Sequence, residues 1–197
     1  MNRQQSKQQR MSGFTAIELV VSLAIIILVS AQIFVSFSGI GQGVTINRTV
    51  QEIIDEIRKA QYAAIAVIYA PNFGLPPSPS VGMRISTVVG PTPQVLRFID
   101  RNDCAGCVQN NTYDAAQNEK IGEYALPANM KINRLLDDQG NTYSTMHILF
   151  QVPEATVFLA KDDGTAFPGN RVDIELASTS GVKKIITVRV TGQINAN

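Results

Sequence analysis

Glu18 is the residue of this chain whose chemistry most needs an explanation. It lies near the start of an apolar stretch, residues 14–37, that contains no other charged residue, no Pro and no Gly. At about 1.5 Å per residue, a helix of this length can cross a hydrocarbon core of about 30 Å. A carboxylate inside such a segment costs on the order of a few kcal/mol, so it indicates a function and requires a partner. If the chain is cut after Gly13, the new α-amine of Phe14 lies about one helical turn from Glu18 and supplies that partner.

The residues before this cut have the composition of a leader. Residues 1–13 hold Arg3, Lys7 and Arg10, no acidic residue and no long apolar run, which is typical of a cytoplasmic targeting segment. Removal of these three of the 17 basic residues leaves 14 beside 16 acidic residues, a formal charge of about −2. This charge does not require nucleic acid or anionic lipid as a partner.

This N-terminal pattern resembles that of the type IV pilin superfamily, which includes the pseudopilins of type II secretion. The match consists of the basic leader ending in Gly13, the sequence Phe-Thr-Ala-Ile-Glu-Leu from Phe14 onward, and the apolar helix that follows. The resemblance implies that a prepilin peptidase cleaves between Gly13 and Phe14 and methylates the new amine. It also implies that Glu18 guides docking onto a growing filament, facing the Phe14 amine of a neighbouring subunit.

The same resemblance implies a location and a set of partners. The precursor would be a single-pass protein of the inner (cytoplasmic) membrane, with its C-terminal domain outside the cytoplasm, and would enter a pilus or pseudopilus on assembly. The implied partners are the prepilin peptidase, other pilin or pseudopilin subunits, an inner-membrane assembly platform and the lipid bilayer.

Two other interpretations of the N-terminal segment remain open. In the first it is a plain signal anchor, with Glu18 reaching toward the cytoplasmic face. In the second it is a secretory signal peptide cleaved after the small residues Val29-Ser30-Ala31, before Gln32. A carboxylate in the apolar core and the apolar residues beyond Gln32 disfavour the second interpretation.

Beyond the apolar stretch, the sequence predicts an α+β fold in which a long N-terminal transmembrane and amphipathic helix packs on a C-terminal antiparallel β-sheet domain. Three alternating glycines within 38–43 predict a soft joint, because each weakens a helix by about 1 kcal/mol relative to Ala. Apolar residues at helical spacing then extend the helix over 45–69, with Glu52, Asp55, Glu56 and Lys59 mostly on the other face. Pro71 ends the helix, and the Pro-rich sequence Leu75–Pro79 forms a stiff connector. The predicted segments are the prepilin leader 1–13, the transmembrane or filament-core helix 14–37, the amphipathic second half 38–70 and the β-rich domain 71–197, a pilin-like arrangement.

Short stretches of alternating or β-branched residues after Val81 predict eight strands in one antiparallel sheet or two small ones. Asp162-Asp-Gly164 and Ser180-Gly181 are expected to form hairpin turns. The predicted strands are Gly82–Val88, Val95–Ile99, Ile121–Tyr124, Lys131–Leu135, His147–Val152, Thr156–Ala160, Arg171–Leu176 and Lys184–Thr191.

A second resemblance narrows the family. The helix sequence Ile53–Ala66 and the closing stretches around Val172–Leu176 and Ile185–Ile194 resemble the minor pseudopilin H group and its pilus relatives. Their shared features are a basic residue and Ala before further Ala in the helix, and the C-terminal hairpins.

Cys104 and Cys107 lie in a polar loop and form the only pair of cysteines in the chain. In an oxidising compartment they are expected to form a local disulfide that tightens the loop by about 1–3 kcal/mol. Free thiols, or a redox or metal role, are the alternatives, although no βαβ pattern surrounds the pair and a zinc site would need more ligands.

Other groups give no sign of catalysis, cofactor binding or a metal site. The chain has no Ser-His-Asp set, no convincing carboxylate pair and no phosphate loop, and the only histidine, His147, fits a strand position. Lys183, Lys184 and Arg189 form a basic cluster that would suit nucleic-acid contact, since some pilus relatives take part in DNA uptake. A solvated edge strand is the simpler interpretation.

The sequence therefore predicts a structural filament subunit, a minor pilin or pseudopilin of a type IV pilus or type II secretion system, and not an enzyme. The alternatives are a membrane-anchored or secreted binding module that never enters a filament, and a DNA-contacting pilin of a competence system.

Overall fold

A computed structural model describes residues 15–66, 80–101, 109–152 and 154–197. The chain divides into two units, 1–41 and 42–197. One long helix, α1 (Ala16–Ile65), begins in the first unit and ends in the second. It continues through the predicted joint at 38–43, although the boundary between the units falls within this glycine-containing segment. The predicted continuation of the helix to residue 69 and the Pro-rich connector that follows lie outside the described residues.

The first unit presents an apolar helix surface. The segment Ala16–Ile33 of α1 is long enough and apolar enough to cross a membrane, judged by length and composition. None of these residues is buried, and Ile17 is 74% exposed. Among the described residues of this unit, the apolar side chains of Ala16–Ile33 therefore lack the protein partners that would normally remove them from water.

The second unit buries a stripe of α1. Its members recur every three or four residues, the spacing that aligns side chains along one face of a helix. Each is at most 6% exposed. They are Ile46, Val50, Ile53, Ile54, Ile57, Ala60, Ala63 and Ala64.

Ten strands and one short 3₁₀ helix, Ala115–Gln117, lie in the rest of the described part of the second unit. All eight predicted strands are confirmed, with ends that differ by a few residues, and the two short strands β5 and β10 are additional. The strands are β1 (Ser80–Ser86), β2 (Val95–Asp100), β3 (Lys120–Tyr124), β4 (Met130–Asp137), β5 (Thr142–Tyr143), β6 (Thr145–Gln151), β7 (Thr156–Lys161), β8 (Arg171–Ser178), β9 (Lys183–Arg189) and β10 (Ile194–Ala196).

The strands form two five-stranded antiparallel sheets, so the two-sheet alternative is the correct one. The first sheet has the order β3-β2-β1-β6-β7, and the second has the order β10-β9-β8-β4-β5. The central pairing of the first sheet joins β1 to β6, with Ser80 opposite Gln151. The chain thus leaves this sheet after β3, builds β4 and β5 of the second, and returns.

The first sheet is covered on both faces. One face packs with the stripe of α1 and with the second sheet in the main core. The other face forms a smaller cluster around Leu96, Phe98 and Leu149, against which Tyr113 packs. Burial on both faces explains why β6 reads as a continuous run of buried residues and not as an alternating pattern.

Two acidic residues of α1, predicted to lie mostly on its polar face, instead join the helix to the first sheet. Tyr124 donates its hydroxyl to Glu52 (2.5 Å), and Arg97 of β2 donates to Glu56 (3.0 Å). Both carboxylates border the apolar stripe, so their side chains reach the neighbouring strands. Asp55 and Lys59 are exposed as predicted.

The two predicted turns are confirmed. Gly164 donates its N–H to Lys161 O and Gly181 donates to Ser178 O, both at 3.0 Å. Both glycines have positive φ, 78° and 86°, a backbone region that favours Gly. A Cβ at Gly164 would also lie 2.2 Å from the carbonyl oxygen of Asn110, so this turn contacts the loop that follows β2.

Candidate functional site

Glu18 occupies the first turn of α1, as its position in the sequence predicts. The helix begins after Thr15, whose side-chain oxygen accepts the N–H of Glu18 (3.4 Å) and whose carbonyl accepts the N–H of Leu19 (3.2 Å). Thr15 therefore acts as the N-cap, a role that sequence reasoning missed although Thr-Ala-Ile-Glu is the pattern of a capping box. The cap places the Glu18 carboxylate near the positive end of the helix dipole, which favours a negative charge.

The surroundings of Glu18 contain no cation within the described part of the first unit. By sequence, no Lys or Arg occurs between Arg10 and Arg48. The Glu18 side chain is exposed beside exposed apolar neighbours such as Ile17 and Val21. The predicted processing residues, Gly13 and Phe14, lie outside the described residues, so the pairing of Glu18 with an amine stays a prediction.

The predicted basic cluster is divided between two faces. Residues 183 and 189 point to one side of β9 and Lys184 to the other, because side chains alternate along a strand. Lys183 also pairs with Glu175 at 3.0 Å. The edge-strand interpretation was wrong, since β9 lies between β8 and β10. Contact of this cluster with nucleic acid stays a prediction. One flat nucleic-acid surface could not contact Lys183, Lys184 and Arg189 together, because Lys184 lies on the other side of β9.

Glu175 is a buried acid of the second sheet whose charge is compensated by several donors. It lies on the side of β8 that alternation predicts to be solvated, yet it is only 4% exposed. Arg134, Lys183 and Asn133 all donate to it, at 2.7, 3.0 and 2.5 Å. Burial raises its pKa, but these donors outweigh burial and lower the pKa to about 2.

Cys104 and Cys107, the predicted disulfide, lie outside the described residues. The two ends of their loop are held by buried carboxylates that sequence reasoning missed. Asp100 accepts the backbone N–H groups of Asn110 (3.0 Å) and Asn111 (2.8 Å). Glu119 accepts those of Arg101 (3.0 Å) and Asp114 (2.6 Å).

Burial dominates the titration of these two carboxyls. It raises the pKa of Asp100 to about 6 and that of Glu119 to about 7, although the backbone donors act in the opposite direction. Two acids with raised pKa values near one loop are a common sign of a functional site. Here each carboxylate oxygen is occupied by a backbone N–H, so the arrangement indicates loop fixation.

His147 lies in β6, as its sequence context predicts, and is 1% exposed. Its Nδ1 is 3.3 Å from Lys161 O, and its ring contacts Phe98 edge-on. Burial lowers the pKa of His147 to about 4, so the imidazole is neutral near pH 7. Its position within the smaller core cluster fits packing better than catalysis.

The Asp162–Gly164 turn is stabilised by hydrogen bonds between its own and directly adjoining residues. Asp163 accepts the N–H and the hydroxyl of Thr165 at 3.0 and 2.6 Å, as the turn interpretation predicts. Among the described residues, no group of three or more His, Cys, Asp and Glu side chains is arranged to hold a metal ion.

Fold and helix together define an α+β protein that carries one N-terminal helix apolar enough to span a membrane. In comparisons with known proteins, no family model, no curated protein and no solved structure matches the chain.

Proposed function

We propose that this protein is a structural subunit of a type IV pilus or type II secretion filament, a minor pilin or pseudopilin that is stored in the inner membrane. A prepilin peptidase cleaves the precursor after Gly13 and methylates Phe14. An assembly platform then moves the subunit from the bilayer into the filament.

The observation that carries the proposal is the lone carboxylate of Glu18 in the first turn of an exposed apolar helix. An exposed apolar surface of this length requires lipid or other helices. A charge at its start costs free energy in either environment unless a cation meets it. In the proposed filament that cation is the Phe14 amine of a neighbouring subunit, so Glu18 selects the register in which two helices pack.

The second unit supports the same proposal in a different way. The apolar stripe of α1 between Val50 and Ala64 is buried in one core with residues of both sheets, so the domain is tied directly to the second half of the helix. Movement of the helix out of the bilayer would therefore carry the domain to the filament surface. No catalytic step is needed for this function.

The mature N-terminus tests the proposal first. We expect protein isolated from host membranes to begin at an N-methylated Phe14, as determined by N-terminal sequencing and intact mass. A start at Gln32, or an intact Met1, would contradict filament assembly and leave an anchored or secreted binding module.

Glu18→Ala tests the docking role. This change should preserve membrane insertion and processing but abolish or strongly reduce recovery of the subunit in sheared filaments. Asp55→Ala removes an exposed carboxylate from the other half of α1 and serves as the matched control, with recovery unchanged. Normal recovery of the Glu18→Ala subunit would show that this carboxylate does not select the register.

A further inference from the structure

Three loops of the second unit form one continuous surface without charge. The loops are residues 87–94 between β1 and β2, residues 125–129 between β3 and β4, and residues 179–182 between β8 and β9. None of their residues is charged. We call them together the apolar loop surface.

The three loops are neighbours. The first and second line one cleft of about 520 Å³, with Val89, Pro93 and Leu126 among the lining residues. The second and third line another cleft of about 490 Å³, with Asn129 and Thr179 in its wall. The second loop therefore lies between the other two.

Apolar side chains project from this surface into solvent. Val89 is 81% exposed, Val88 is 56% exposed and Val182 is 37% exposed. Two adjacent valines at a loop tip are unusual on a face that remains in water, since loops are normally polar.

The tip that carries the two valines is held in a fixed shape. Arg84 of β1 donates to the carbonyl of Pro93 (3.2 Å), and the Gln94 amide donates to the carbonyl of Thr87 (3.2 Å). The Ser86 hydroxyl accepts the N–H of Val88 (3.1 Å). The valines are thus presented outward by a braced hairpin loop.

Lysines border the apolar loop surface. Lys131 lines both clefts, and Lys183, whose charge is paired with Glu175, lines the cleft beside the third loop. No acidic residue lines either cleft. An apolar centre with a basic border suits a membrane surface that contains anionic lipid.

The contacts of α1 show on which side of the second unit this surface lies. Tyr124, directly before the second loop, bonds to Glu52, and Arg97 bonds to Glu56 one turn further along α1. Strand β2 starts at Val95, directly after the first loop, and reaches Arg97 two residues later. The first two loops therefore lie toward the N-terminal end of the part of α1 that belongs to the second unit.

We propose that the apolar loop surface rests on the headgroup layer of the bilayer while the subunit is stored in the membrane, with Val88 and Val89 inserted between headgroups. This inference rests on the proposed function, because it requires residues 16–33 to be anchored in that bilayer. About 28 Å of helix separates Ile33 from Glu52 at about 1.5 Å per residue, so the contact requires α1 to tilt or bend. Gly41 and Gly43, which have no side chain to resist bending, lie within that distance.

Tryptophan fluorescence tests the contact directly, because the chain contains no Trp. The full chain carrying Val89→Trp is reconstituted in vesicles of phosphatidylethanolamine and phosphatidylglycerol, with a nitroxide on a fraction of the headgroups. Tyr62→Trp is the matched control, since Tyr62 is an exposed aromatic near the other end of the domain's helix. Ile25→Trp, read in vesicles with brominated acyl chains, reports whether the anchor itself is in the bilayer.

We expect a larger loss of emission for Val89→Trp than for Tyr62→Trp, and quenching of Ile25→Trp by the brominated chains. If Ile25→Trp is quenched while Val89→Trp behaves like Tyr62→Trp, the proposed lipid contact of the loop surface is wrong, whereas membrane anchoring of residues 16–33 is supported. A blue-shifted but unquenched Val89→Trp would assign the surface to a second protein copy and overturn the proposal. An unquenched Ile25→Trp would overturn the anchor and the lipid contact together.

Discussion

The two halves of α1 differ both in apolar content and in surroundings. In the first half, Ala16–Ile33, apolar residues occur on every side of the helix and none is buried. In the second half, most apolar residues lie on one stripe, on which Ile46, Ile53 and Ile57 are completely buried. The periodicity of the apolar residues thus separates a helix that the chain's own domain covers from one that needs lipid or other subunits.

The charges follow the same division. The first half has one carboxylate, Glu18, with no cation near it in the described residues. In the second half, Glu52 and Glu56 each have a partner on a strand, Tyr124 and Arg97. A charge whose partner lies within the chain stabilises the fold, whereas a lone charge inside an apolar segment such as Ala16–Ile33 indicates a partner outside the chain.

The largest expected effect tests which half of α1 stabilises the domain. Ile57→Ala should lower the free energy of unfolding by about 2–5 kcal/mol, because it leaves a cavity at a site that is 0% exposed. Ile25→Ala, the same change in the first half, should alter it by less than about 0.5 kcal/mol. Urea unfolding of the full chain in detergent, followed by circular dichroism, measures both. Equal losses would mean that the first half also belongs to the domain core.

An intermediate effect is expected at the polar contacts between α1 and the first sheet. Glu56→Gln leaves the half-buried guanidinium of Arg97 without its charged partner and should cost about 1–3 kcal/mol. Asp55→Asn, one residue earlier on the exposed face, should change the unfolding free energy by less than about 0.5 kcal/mol. The same unfolding experiment compares the two variants. If they behave alike, the Glu56–Arg97 pair does not join the helix to the sheet.

Local patterns were sufficient to predict most elements of the fold. The alternation Arg171-Val-Asp-Ile-Glu-Leu176 predicted β8, and the Gly residues at positions 164 and 181 predicted turns whose positive φ angles are now observed. The division into two sheets could not be predicted, because β1 pairs with β6 across more than fifty residues. Strand β5 was missed because two residues are too short to show a period.

Prediction of the functional residues depended on whether their signal was local. Glu18 could be found because a single charge in an apolar stretch is visible in the sequence. Asp100 and Glu119 could not, since their partners are backbone N–H groups that the loop brings back. Lys184 shows that a local signal can be overlooked. Because side chains alternate along a strand, the sequence alone already placed Lys184 and Lys183 on opposite sides of the predicted strand.

The smallest expected effects concern pH and are confined to the second unit. The pKa of Glu119 is raised to about 7 in the folded protein, so the fold binds a proton that the unfolded chain has lost. Its contribution to stability is therefore lost as the pH rises from about 4.5 through 7. The pKa of His147 is lowered to about 4, so the unfolded chain binds the extra proton, and stability is lost as the pH falls from 6.5 toward 4.

These two groups act in opposite directions over overlapping ranges, so single variants should separate them. Glu119→Gln should remove part of the decline in urea midpoint as the pH rises from 4.5 to 7. His147→Gln should remove part of the decline as the pH falls from 6.5 to 4. Quenching of Ile25→Trp by brominated lipid should not change with either variant, because Glu119 and His147 belong to the second unit and Ile25 belongs to the first. A shift of that quenching with His147→Gln or Glu119→Gln would show that the two halves of α1 are coupled, and the comparison between them would have to be abandoned.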